Sequence, residues 1–237
     1  MKNSIMNGKF SENDKIKCLL WCDRHCCLCG EACGTNIEIA HISPKGESDS
    51  GNIDNAIPLC FDCHSEIGRY NEDHPKGNKY KPLELKTRRE QIYDKYTNHL
   101  VPTIYFNITQ DLPQGQKRNL PDVGIVVTHQ GDSIPVRFSV AVQVFLGSKD
   151  LGLVNLSQYN GESLWNLNPH FGVSGHFPLP PEVVESTERL ELRVSVTVID
   201  QYGRPHKLLP LGWIYMKDRN SWYLEPIGNE PISGCGL

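Results

Sequence analysis

"PLCFDCHSEIG", residues 58–68, sets Cys60 and Cys63 two residues apart and places His64 directly after the second. A Cys-x-x-Cys turn lets two thiolates reach one tetrahedral zinc ion at about 2.3 Å, and two thiolates make half a site. "HCCLCG", residues 25–30, supplies another half. Cys26 and Cys29 repeat the spacing, and Gly30 follows where a knuckle turn favours a residue without a side chain. Four sulfurs would close a structural zinc site, which leaves His64 surplus to it.

Working outward, the cysteines crowd toward one end. Eight of the nine fall within the first 63 residues and the ninth is Cys235. A secreted disulfide scaffold distributes its cysteines evenly and in pairs, so this pattern indicates a reducing cytoplasm. The opening "MKNSIMNGKFSENDK" has no apolar signal region, and no apolar run is long enough for a bilayer. Neither export nor membrane insertion is expected. At 237 residues two domains are expected. A net charge of −4 argues against a broadly basic nucleic-acid coat. Residues 76–95 differ locally, with seven basic residues against three acidic ones.

Ser11 before "ENDKIKCLLWC" reads as the N-cap of a helix that leads to the first knuckle, with Cys18 and Cys22 as core positions. Cys27 and Cys33 flank the knuckle without a ligand role. "TNIEIAHIS", residues 35–43, has the β-branched density of a strand, and the polar "PKGESDSGN" after it reads as a loop. A helix from about Asp62 would carry His64. "KPLELKTRREQIYDKYTNH", residues 81–99, reads as a longer helix with Pro82 in its first turn and Leu83, Leu85, Ile92 and Tyr96 along one side.

Beyond residue 100 the texture changes. Residues 101–120 read as a linker, although "TIYFNI" inside it has strand character. Apolar residues then alternate from Val136 to Val144 and from Leu190 to Val198, the period of half-buried strands. The fold class expected is α+β: an N-terminal domain over 1–100 and an all-β immunoglobulin-like sandwich over 121–237. "LWNLNPHFGVSGHF", residues 164–177, reads either as a recognition loop or as Trp165 and Phe171 buried between polar turns. Residues 101–237 carry ten basic and thirteen acidic side chains, so the β-domain is expected to sense, to dock a partner protein or to form a homo-oligomer.

In order, the first domain holds Cys26-x-x-Cys29, "IEIAHISP" with His41, "NIDNAIPLC" with Asn55, and Cys60-x-x-Cys63-His64. This order resembles the HNH endonuclease family, which has a ββα-metal fold. The tail "YNEDHPKGNKYKPLELKTRREQIY" is similar to that of a bacterial and phage branch of it. The resemblance covers roughly Cys18 to Tyr96. It implies a metal-dependent enzyme that hydrolyses phosphodiester bonds in DNA, with structural Zn²⁺ on the four cysteines and catalytic Mg²⁺ or Mn²⁺. Hydrolysis needs a base near neutral pH, and His41 is the candidate. Asn55 would buttress the strand and loop presenting it, and His64 would ligate the divalent ion, a Lewis acid for the leaving oxygen.

This sequence departs from the family at Ala40, where many members place a second metal ligand before the base. Glu38 projects to the same strand face as Ala40. Either it completes the ligand set, directly or through water, or the ion is held weakly or the activity is lost. Lys79, Lys81, Lys86, Arg88 and Arg89 are the expected phosphate contacts. Defence against foreign DNA fits by analogy. The alternative is a catalytically silent, zinc-stabilised module that binds nucleic acid or protein.

Overall fold

The computed structural model describes residues 9–43, 51–67, 80–109, 123–132, 134–155, 164–177, 179, 183, 189–219 and 221–225. The chain divides into two compact units, Met1–Leu100 with Tyr202–Arg204, and Val101–Gln201 with Pro205–Leu237. The architecture is mixed α+β with antiparallel sheets. Among the described residues no helix is long and apolar enough to cross a membrane.

Helix α1, Glu12–Trp21, begins where the Ser11 hydroxyl accepts the Asp14 amide at 3.1 Å, with Glu12 and Asp14 in the positive first turn. Cys18 and Cys22 are fully buried on its inner side, as core positions should be. The chain then turns back through Asp23 and Arg24, both left-handed at φ 46° and 52°. Strands β1 (Ile37–His41) and β2 (Ala56–Cys60) form a two-stranded antiparallel sheet in which His41 faces Ala56 and Ile37 faces Cys60. Pro58 sits inside β2 because the strand pairs on one edge only, so the missing amide breaks no ladder bond. Its carbonyl accepts the Cys27 amide at 2.9 Å, which fastens the first knuckle to the hairpin.

Helix α2, Phe61–Ile67, follows β2 without a break and carries His64. Helix α3, Pro82–Thr97, has Pro at its first turn. Its buried stripe is Leu85, Arg89, Tyr93 and Thr97, four residues apart, and Leu83 is 77% exposed. The stripe therefore differs from the one the apolar residues suggest. Leu83 lies half a turn from Leu85, so only one of them can face the core. Ile92 and Tyr96 are half-buried beside the stripe.

In the second unit, β3 (Ile104–Thr109), β4 (Val123–His129) and β8 (Gly172–Phe177) form one sheet in the order β3-β4-β8. The other contains β5 (Val136–Leu146), β6 (Lys149–Asn155), β7 (Trp165–Leu167), β9 (Leu190–Ile199), β10 (Pro205–Lys207), β11 (Leu211–Met216) and β12 (Ser221–Glu225). Its order is β12-β11-β9-β5-β6, with β10 on β9 and β7 on β5. Both sheets feed one core: Phe106, Ile125 and Val127 from the first pack with Val142, Leu192 and Val196 from the second. "TIYFNI" is strand β3, paired along its length with β4.

Two local expectations are corrected here. Trp165 is half-buried against Phe138, with ring centroids 5.5 Å apart, but Phe171 is 66% exposed. Phe171 precedes β8 in the turn after left-handed His170, where its amide and carbonyl are bonded and its ring has no inner face to occupy. In β5 the alternation breaks at Gln143, which is buried and donates to Asp150 at 2.7 Å.

Candidate metal centre and active site

Two knuckles and the start of α2 bring Cys26, Cys29, Cys60 and Cys63 together, with all four Sγ atoms within 4.8 Å of one another. Sulfurs around a tetrahedral zinc ion at about 2.3 Å stand roughly 3.8 Å apart, and the Cys29 and Cys60 sulfurs are 4.0 Å apart. The turns that create the cluster also aim amides at it. Leu28 N–H donates to Cys26 Sγ and Cys63 N–H to Cys60 Sγ, each at 3.4 Å. Gly30 closes the first knuckle at φ 78°, and its amide donates to the Cys26 carbonyl.

Four thiols this close resist ionising together. Burial first, then the neighbouring sulfurs, push the Cys63 thiol far up, and burial with the Cys26 sulfur holds Cys29 at about 11. Burial acts on Cys26 in the same sense, yet the surrounding backbone amides carry it below the usual thiol range. A divalent cation removes the conflict by stabilising all four thiolates, and four soft sulfur donors suit zinc. Such an ion would be structural, since four protein ligands leave no open position. Cys33 is outside the set and donates to the Glu31 carbonyl at 3.2 Å.

Outside the sulfur cluster, α2 sets His64 against β1. His64 Nδ1 and Glu38 Oε2 are 2.5 Å apart, with side chains 41% and 50% exposed. Ala40, two residues along on the same face, is buried and offers no donor atom. His41 ends β1 on the other face, where its ring stacks on Phe10 at 4.3 Å and an interplanar angle of 26°. Alternation along β1 therefore sends His41 and Glu38 to opposite faces.

Asn55 ends the 3-10 turn Ile53–Asn55, which Asn52 caps by accepting the Asp54 amide at 3.1 Å. Its Oδ1 accepts the Ser43 amide at 2.7 Å, its Nδ2 donates to the Ser43 carbonyl at 3.3 Å, and its own carbonyl accepts the Ile42 amide at 2.8 Å. Three bonds from one residue hold the two that follow His41.

The expected phosphate contacts divide. Lys81, Lys86 and Arg88 are exposed, and Arg88 lies 3.4 Å from Glu84 one helical turn away. Lys79 falls outside the described residues. Arg89 is 7% exposed and faces inward, so it is corrected from a phosphate contact to an interior residue. Its Nη1 donates to the Asp54 and Ala56 carbonyls, each at 2.9 Å, and its other nitrogens meet Glu90. Glu90 and Arg204 were not visible as members of this network from sequence. Arg204, in the first unit, donates to Glu90 at 3.1 Å, Asp94 at 2.6 Å and the Thr97 hydroxyl. One signal pointed to Arg89: it occupies the core phase between Leu85 and Tyr93. Sequence comparison matches the chain to no family model and to no curated protein.

Proposed function

We propose that the first unit is an HNH nuclease of ββα-metal type that hydrolyses phosphodiester bonds in DNA. The observation that carries this reading is the convergence of Glu38 and His64, an oxygen and a nitrogen from different elements, at one exposed point beside the sulfur cluster. Both are donor types a divalent ion accepts, and cis ligands of a small ion at about 2.1 Å stand roughly 3 Å apart. Mg²⁺ or Mn²⁺ held there would supply Lewis-acid stabilisation of the leaving oxygen. His41 takes the proton of the attacking water. Asn55 fixes the chain that follows His41, and Lys81, Lys86 and Arg88 hold flanking phosphates. The two sheets of the second unit are proposed as an immunoglobulin-like sandwich that recognises a partner protein or a second copy.

A second reading has one observation in its favour. Ala40 stands at the second ligand position while the His41 ring lies against Phe10 on the face away from Glu38. That arrangement suits a zinc-stabilised binding module without turnover.

Plasmid cleavage separates the two. With Mg²⁺ or Mn²⁺ the wild-type protein should nick or linearise supercoiled plasmid, and His41→Ala should abolish cutting while zinc stays near one per chain. Cutting that survives in His41→Ala removes His41 as the base. A wild-type protein that binds DNA but never cuts it supports the module.

A further inference from the structure

We propose that Arg89 is a positioning residue that acts on His41 through Asn55; its catalytic meaning rests on the nuclease reading above. Arg89 sits in the buried stripe of α3, at 7% exposure, where an arginine is out of place unless its guanidinium is fully employed. It is employed on one short stretch of backbone. Nη1 donates at 2.9 Å to the carbonyls of Asp54 and Ala56, the residues on either side of Asn55, and lies 3.5 Å from that of Ile53. The end of a 3-10 turn leaves carbonyls without partners, and one cation satisfies them. Both neighbours of Asn55 are thereby fixed from the same side.

From Asn55 the chain of bonds continues to the amides of Ile42 and Ser43, directly after His41. Two hydrogen-bonded steps therefore join Arg89 to the end of β1. Glu90 holds the guanidinium in place, with Oε1 at 2.9 Å from Nε and 2.7 Å from Nη2. The planar fork is what the geometry requires. Lysine, a single point donor, can replace part of it, and glutamine cannot supply the charge.

Hydrogen exchange at the Ile42 and Ser43 amides tests the coupling without any need for turnover. In Arg89→Gln these two amides should exchange about 10- to 100-fold faster, the effect of losing a charge-assisted hydrogen bond. Arg89→Lys should fall between it and wild type, and the Tyr93 and Cys27 amides should be unchanged. Combining Arg89→Gln with Asn55→Ala should add nothing to Asn55→Ala alone, since both act along one path. In the cleavage assay kcat should fall in Arg89→Gln by up to about 10- to 100-fold, the range for residues that orient a reacting group through hydrogen bonds, with KM for DNA unchanged. Unaltered exchange at Ile42 and Ser43, additive effects in the double variant, or a change in KM alone would overturn the proposal. So would loss of the whole fold in both Arg89→Lys and Arg89→Gln, which would assign Arg89 to domain stability. A wild-type protein without cleavage sinks the nuclease reading, and the exchange results still decide the coupling.

Discussion

Glu38 and Gly30 show how single positions answer for the proposed divalent-ion site and for the sulfur cluster. Glu38 meets His64 at 2.5 Å and is half exposed, so removing its charge should not unfold the domain. Glu38→Gln is expected to raise the Mn²⁺ concentration for half-maximal cleavage about tenfold, the lower range for a changed metal environment; titrating activity against Mn²⁺ checks it. Gly30 is left-handed at φ 78°, and a Cβ placed there would meet only Ile92 Cδ1 at 3.9 Å. Space is therefore sufficient and the cost is purely in the backbone. Gly30→Ala should lower stability by about 1–2 kcal/mol, read as a shift in the urea midpoint at constant slope. The paired spacing of Cys26, Cys29, Cys60 and Cys63 was legible because ligand chemistry constrains sequence directly. Arg89 was not, because an arginine's default is solvent and only the turn it bonds, remote in sequence, reveals otherwise.

At the level of elements, the knuckles and α2 depend on one another through the four sulfurs. Burial and the neighbouring sulfurs hold the bare Cys29 thiol at about 11 and push Cys63 further up, so ligating these two must release protons and acid must oppose it. Metal affinity is therefore highest at alkaline pH and falls as pH drops. Acidification or a strong chelator is expected to release one zinc per chain, detected with a chromogenic indicator, together with loss of α2 helicity. Strand β9 was readable residue by residue because its burial alternates without exception from Leu190 to Ile199. Helix α3 was less so. Its inner stripe includes Arg89 and Thr97, polar residues whose partners supply what hydrophobicity normally does, and its most conspicuous leucine, Leu83, is in solvent.

On the scale of the molecule, a net charge of −4 means that the proposed attraction to DNA has to come from a local patch. With Arg89 in the interior, Lys81, Lys86 and Arg88 are the described side chains on the expected patch. Replacing these three with glutamine should reduce the slope of log K against log salt by roughly 0.9 for each phosphate left without a cation, measured by fluorescence anisotropy across a salt series. The α+β class and the change of texture near residue 100 follow from period and composition, whereas the pairing of seven strands in one sheet depends on long-range partners that no local pattern encodes. The small hairpin of the first unit has its own bearing on self-association. At Pro58 the outer margin of β2 has no amide to offer, and its carbonyl is already taken by Cys27. A foreign strand arriving at Pro58 would find no amide and a carbonyl already engaged, which disfavours strand addition at this point of the margin.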